Sequence, residues 1–210
     1  MNLIAILDYG MGNLRSVAQA MKTAAPEADV RITHEPEVVR AAERIILPGQ
    51  GAMPDCMANL RASGLLDALS EGAKNKPLLG VCVGEQMLFG HAEEGNSHGL
   101  GWFAGEVVRF RVDDARDENG APLKVPHMGW NTVKQTRPHA LWANIPDNTH
   151  YYFVHSYHFK VRDEENIAAV TPYCGEFVSA VAKDHIVGTQ FHPEKSQKAG
   201  FRLIKNFLAM

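Results

Sequence analysis

Pro77-Leu78-Leu79-Gly80-Val81-Cys82-Val83-Gly84-Glu85-Gln86-Met87-Leu88-Phe89 is the stretch on which the fold turns. Its first five residues form a short apolar run of strand length, and Glu85–Phe89 reads as the opening of a helix. Between them Gly80-Val81-Cys82-Val83-Gly84 is the cysteine form of the G-x-S-x-G nucleophile elbow. A nucleophile at a sharp strand-to-helix turn is held in strained backbone geometry, and flanking glycines remove side chains that would clash. The turn also sets the residue at a helix N-terminus, where the macrodipole and free N–H groups favour a thiolate and a nearby oxyanion. Taken alone, the pentapeptide is as consistent with a small buried hydrophobe as with a nucleophile.

Outward from this stretch, short apolar runs alternate with segments of helical period, the pattern of a parallel sheet covered by helices. Strands are expected at Leu3–Leu7, around Val30–Thr33 and at Arg44–Leu47. Leu14, Val17, Ala18 and Met21 recur at helical spacing, a short helix is expected from Pro36, and further helices around Asn59 and Leu65–Lys74. Pro48-Gly49-Gln50-Gly51 is read as a loop that stops the third strand. After about Gly99 the runs Trp102–Phe110, Val125–Val133 and Tyr151–Val161 are richer in β-branched and aromatic residues and suggest hairpins or added strands. Asp113–Gly120 is charged and turn-rich, an expected loop. Strands around Phe177–Ala182 and Ile186–Phe191 lead to a last helix with Phe201, Ile204 and Phe207 or Leu208 on its apolar face. With no internal repeat or linker, one domain over 1–210 is the simpler reading.

The 210 residues suffice for one large α/β domain. A net charge of −3 gives no electrostatic reason to expect nucleic acid, and no apolar run is long enough for a membrane helix. Leu3–Leu7 lacks a basic n-region and a cleavage site, so a buried strand explains it better than a signal peptide. Three widely spaced cysteines, Cys56, Cys82 and Cys174, fit a reducing compartment rather than a disulfide framework; a cytoplasmic location is expected.

A cysteine nucleophile needs a base, and the base needs an orienting group. His192 and Glu194, in Thr189-Gln190-Phe191-His192-Pro193-Glu194, can supply both from one turn. Alone, a histidine at a strand end is usually a solvated or capping residue; the two motifs together are much more specific. A third piece is Pro48-Gly49-Gln50-Gly51. An oxyanion hole pairs the N–H after the nucleophile, here Val83, with an N–H from another loop, and Gly49 and Gly51 let the backbone approach closely. Metal readings are weaker. H-x-E of a zinc deaminase requires a later P-C-x-x-C, and no cysteine follows Glu194. His155 and His158, three apart in one expected strand, would point to opposite faces. A phosphate-binding G-x-G-x-x-G fails because Arg15 stands where the third glycine belongs.

With Cys82, His192, Glu194 and Gly84-Glu85-Gln86 in place, the chain resembles the triad-type (class I) glutamine amidotransferases. Asp8–Val17, Leu47–Gly49, Gly99–Trp102, His127–Asn131 and Phe153–Tyr157 extend the resemblance over essentially the whole chain, toward the branch of glutaminase subunits of imidazole glycerol phosphate synthases. The resemblance implies a flavodoxin-like single α/β domain with a mixed, largely parallel central sheet flanked by helices. It also implies hydrolysis of glutamine through a Cys82 thioester, substrate binding by Gln86, His155, Ser156 and Tyr157, and no cofactor or metal. The implied partner is a cyclase subunit with a (β/α)8 barrel that receives ammonia for histidine biosynthesis. Two departures stand out: Gln50 replaces a small apolar residue, and Val83-Gly84-Glu85 replaces the more usual Leu-Gly-Met. The alternatives are a stand-alone γ-glutamyl hydrolase, the amidotransferase of another synthase, or a non-catalytic scaffold subunit, which would be expected to have lost triad members.

Overall fold

Strand and helix alternate through the first part of the chain: β1 (Leu3–Leu7), α1 (Leu14–Ala24), β2 (Asp29–Thr33), α2 (Pro36–Ala41), β3 (Arg44–Gly49), α3 (Met53–Ala62), α4 (Leu66–Gly72), β4 (Leu78–Cys82) and α5 (Val83–Gln86). Strands then dominate: β5 (Phe89–Ala92), β6 (Ser97–His98), β7 (Phe103–Arg109), β8 (His127–Gln135), β9 (Thr149–His155), β10 (Tyr157–Val161), β11 (Ile167–Pro172), β12 (Glu176–Lys183) and β13 (Ile186–Thr189), before α6 (Gln197–Leu208). The computed structural model describes residues 2–113, 115–116 and 120–210. Positions 114 and 117–119 of the expected loop Asp113–Gly120 lie outside the described residues.

The sheet is mixed. Its order β2-β1-β3-β4-β13 is parallel throughout, and from β12 outward antiparallel pairing prevails through β10 and β7, with β5 and β6 beyond and β11, β8 and β9 branching from β12. Ile4–Leu7 and Ile45–Leu47 are fully buried, which is why these strands read as unbroken apolar runs rather than alternating ones. Helix α1 buries Val17, Ala18 and Met21 and packs with α6, while α2 packs with α4. Among the described residues no helix is long and apolar enough to cross a membrane.

Four sequence expectations change. Strand β3 does not stop at Leu47 but runs through Pro48 and Gly49. Its pairing with β1 ends at Ile46, opposite Ile6, so on that side Pro48 owes no ladder N–H, while β4 still pairs it with Val81. The helix after Cys82 is a single turn, and Phe89 begins a strand instead of continuing the helix. Phe89 is buried between Phe159, stacked at 4.7 Å, and Phe103 at 5.8 Å, and that burial overrides helix propensity. Tyr151–Val161 breaks at Ser156 into two strands, so His155 and His158 do not share one strand, and both rings contact Phe110. On α6 the buried face is Leu203, Ile204, Phe207 and Leu208; Phe201 is only half-buried.

Candidate active site

Cys82 ends β4 and precedes α5 with φ +55° and ψ −113°, a left-handed backbone for a residue with a side chain. Such a conformation costs about 1–3 kcal/mol and persists only where its surroundings enforce it. The enforcement is visible. A Cβ on Gly84 would lie 1.9 Å from the Leu47 carbonyl oxygen, and one on Gly49 would lie 2.4 Å from the Gly84 nitrogen. The end of β3 and the elbow are therefore in direct backbone contact, and the β3–β4 register pairs Gly49 with Cys82. The site lies at the carboxyl ends of parallel strands, the usual place for one in an open α/β sheet.

Strand β13 lies on the other side of β4 and delivers His192 to the same end. The turn that follows is fixed by backbone contacts. His192 N–H donates to the Tyr152 carbonyl at 2.9 Å, and Ser196 Oγ donates to the His192 carbonyl at 2.6 Å while accepting from Tyr152 N–H at 3.0 Å. His192 Nδ1 lies 2.8 Å from Glu194 Oε1, with both side chains buried. A carboxylate can only accept, so Nδ1 carries a proton and Nε2 is left for the thiol. Nε2 is buried without a well-formed hydrogen bond, the loose contact common in unliganded sites. Burial alone would lower the His192 pKa; the Cys82 sulfur and the Glu194 carboxylate outweigh it and push it up to about 10. The imidazole is thereby held as imidazolium near neutral pH, facing the Cys82 sulfur.

A cleft of about 270 Å³ opens over the sulfur. Cys82, Val83, Gln86 and His192 form its floor, and His155, Ser156 and Tyr157 form one wall, so these sequence-predicted residues come together. Gly51 and Gln50 form part of the rim; Gly49 lies beneath, in β3, and does not line the cleft. Glu194 stands behind His192 rather than in the cleft. The rim is anchored from below: Tyr9 OH donates to the Pro48 carbonyl, and Cys56 Sγ donates to the Gln50 carbonyl at 3.3 Å. Three polar groups of the site were not singled out in the sequence. Glu94 and Lys195 line the cleft, and Gln190, fully buried, places Nε2 3.7 Å from Cys82 Sγ. Gln190 sits inside the Thr189–Glu194 segment, just past the end of β13, where its place two residues before His192 was the available signal; Glu94, in a turn, gave none.

Behind the wall His155 Nδ1 donates to the Tyr157 carbonyl at 2.7 Å, leaving His155 Nε2 to accept from His127 Nδ1 at 2.9 Å. Both rings are neutral, because burial depresses His155 to about 3 and His127 to about 4. Among the described residues no group of three or more His, Cys, Asp or Glu side chains is arranged to hold a metal ion. A thiol, an imidazolium and a carboxylate in series, beside backbone N–H groups of a glycine-rich segment, suit acyl transfer from an amide.

The family model described as glutamine amidotransferase class-I matches residues 5–210. The chain belongs to the class-I glutamine amidotransferases. This amidotransferase is 54% identical over 205 residues to a protein of Nitrosospira multiformis named imidazole glycerol phosphate synthase subunit HisH, covering 98% of this chain and 96% of that one. Proteins of the same name from Neisseria meningitidis and Aromatoleum aromaticum are 51% and 52% identical, covering 97% and 100% of this chain and 98% and 99% of theirs. A solved glutamine amidotransferase superposes with a TM-score of 0.72 at 18% identity (98% of this chain, 97% of that one). PurLQS from Thermotoga maritima superposes with 0.70 at 14% identity (99% and 97%). At these identities the two structures speak for the fold alone.

Proposed function

We propose that this amidotransferase is the glutaminase subunit of imidazole glycerol phosphate synthase, releasing ammonia for a cyclase subunit in histidine biosynthesis. The observation that carries the chemistry is the strained Cys82 elbow facing a His192 held by Glu194 at 2.8 Å. The relatives' shared name, at 51–54% identity over nearly whole chains, supports the pathway and a partner subunit. We take residues 1–210 as one amidotransferase domain, and the setting as cytoplasmic, in keeping with free cysteines.

In this reading the Cys82 thiolate attacks the side-chain amide carbon of glutamine. The tetrahedral oxyanion is held by the Val83 N–H and the Gly49–Gly51 segment. His192 passes its proton to the leaving nitrogen, ammonia departs, and His192 then activates water to hydrolyse the glutamyl thioester. Glu194 keeps the ring in place through Nδ1. Gln86 and the wall His155-Ser156-Tyr157 hold the substrate's amino and carboxylate ends, and the Glu94 carboxylate in the same cleft suits an α-ammonium.

Ammonia is useful to a second enzyme only while unprotonated, which favours a covered exit. Next to the cleft, Met128 and Trp130 are 63% and 48% exposed, an unusual pair of apolar side chains on β8. Trp130 meets Tyr152 edge-on at 6.2 Å, and Lys195, on the cleft rim, lies over that Tyr152 ring at 5.8 Å. This surface supports a docked partner, for which we propose a cyclase of (β/α)8-barrel form, and it favours a subunit over a stand-alone hydrolase. With the partner present, Cys82→Ala should abolish glutamine-dependent cyclisation and leave ammonia-dependent cyclisation unchanged. Glutamine-driven turnover by that variant would overturn the assignment, and rapid glutamine hydrolysis by the purified chain alone would favour the stand-alone reading.

A further inference from the structure

Gln190 touches the reacting sulfur, and nothing in the triad accounts for it. It is fully buried on the segment that leads from β13 to His192, with its backbone N–H donating to the Ser179 carbonyl at 3.0 Å. Its side-chain amide is held at both ends. Oε1 accepts from Gln86 Nε2 at 3.1 Å, and Nε2 is directed at Cys82 Sγ at 3.7 Å. The first contact decides the orientation of the second. An amide whose oxygen is engaged by a donor must present its NH2 at the other end, so the sulfur faces a donor and not an acceptor.

We propose that Gln190 is a catalytic residue of this amidotransferase, whose side-chain N–H stabilises the Cys82 thiolate, with Gln86 acting as the positioning residue that fixes the amide's orientation. The proposal rests on Cys82 being the nucleophile. Among the described residues, two groups besides His192 are placed to hydrogen-bond with the sulfur. The Val154 carbonyl, 4.0 Å away, can accept only from a neutral S–H, whereas Gln190 can donate to the anion. Two donors, His192 and Gln190, therefore approach the sulfur from β13 and the turn after it, and one of them stays in place when His192 gives up its proton. An uncharged amide does what a second cation would not: it favours the thiolate without repelling the imidazolium. Gln86 also lines the cleft, so a substrate that engages its side chain acts on the same amide that steadies the nucleophile.

The test needs neither the partner nor glutamine. The full chain is treated with iodoacetamide across a range of pH, and the rate of alkylation at Cys82 is followed by mass spectrometry of its peptide, which separates it from Cys56 and Cys174. Gln190→Met, close in volume and without a donor, is expected to move the midpoint of the Cys82 profile upward by about one pH unit, the scale of a hydrogen bond to a charged group. Gln86→Met is expected to move it part-way in the same direction. Unchanged midpoints in a folded Gln190→Met protein would overturn the proposal, and if that variant does not fold, an unchanged midpoint in Gln86→Met does so. Failure of the nucleophile assignment reads out separately, as glutamine-dependent turnover that survives Cys82→Ala.

Discussion

At the scale of single residues, the site depends on how charge is held out of water. His192 has an acceptor fixed on Nδ1, a sulfur beyond Nε2 and little solvent, and its pKa is pushed up to about 10 because the Cys82 sulfur and the Glu194 carboxylate outweigh burial. Replacing Glu194 by Gln keeps the shape and removes one of them. The expected result is a fall in kcat on the order of a hundredfold or more, with KM for glutamine little changed, since Glu194 does not line the cleft. The His192 titration, followed by NMR, should move down from about 10; a titration that stays in place would mean that the carboxylate does not set the charge state of the ring. Cys82, His192 and Glu194, the proposed triad, stood out in the sequence because each lies in a short motif with local steric demands. Gln190 was not, although it sits two residues from His192. Its meaning depends on Gln86 and Cys82, more than a hundred positions away, and a hydrogen bond between distant side chains leaves no periodic trace.

At the scale of elements, the elbow and the end of β3 behave as one unit. Their backbones touch at Gly49 and Gly84, and the carbonyls on either side of Gly49 are tied down by Tyr9 and Cys56. Tyr9→Phe keeps the buried ring and releases the Pro48 carbonyl. Loss of one well-placed oxyanion donor costs about 3 kcal/mol in the transition state. Partial misplacement should therefore lower kcat by roughly tenfold while leaving KM within about twofold. A Tyr9→Phe enzyme with wild-type kcat would show that this anchor is dispensable. The elements themselves were largely readable. Strands β1 and β4 lie where the unbroken apolar runs put them, because burial on both faces writes a continuous hydrophobic stretch. The errors fall where tertiary contacts override local preference: β3 continuing through Pro48, the one-turn α5, and Phe89 drawn into a strand by Phe103 and Phe159.

At the scale of the whole molecule, one buried group opposes the fold that contains it. Glu85 is completely buried beneath the elbow against Gly188, where even a Cβ would lie 2.5 Å from its Cγ, and neither carboxyl oxygen finds a well-formed hydrogen bond. Burial first, and then the Cys82 sulfur, raise its pKa well above the ordinary 4.5, with the Val181 backbone offsetting only a little. The folded chain thus holds a proton that the unfolded chain releases. Its stabilising contribution is complete below about pH 4.5 and is lost as pH rises toward the folded-state value. Glu85→Gln should remove that slope and be more stable than the parent at pH 7–8 by about 1–3 kcal/mol, with the two curves converging toward pH 5 in urea titrations. Parallel curves would show that Glu85 is not the proton-linked group. The sequence marked Glu85 only as a departure from the usual Leu-Gly-Met; that its carboxyl is buried beneath the elbow depends on β13, about a hundred residues away, and no local pattern shows it. The parallel sheet also has a consequence in time. Strand β4 is made long before its neighbour β13, and 110 residues separate Cys82 from His192. At the pace of translation, about 5–20 residues per second, a new chain exposes its thiol for roughly 5–20 s before the imidazole is synthesised. The proposed mechanism therefore leaves growing chains on the ribosome without glutaminase activity, with hydrolysis beginning only when the far strand has closed the sheet.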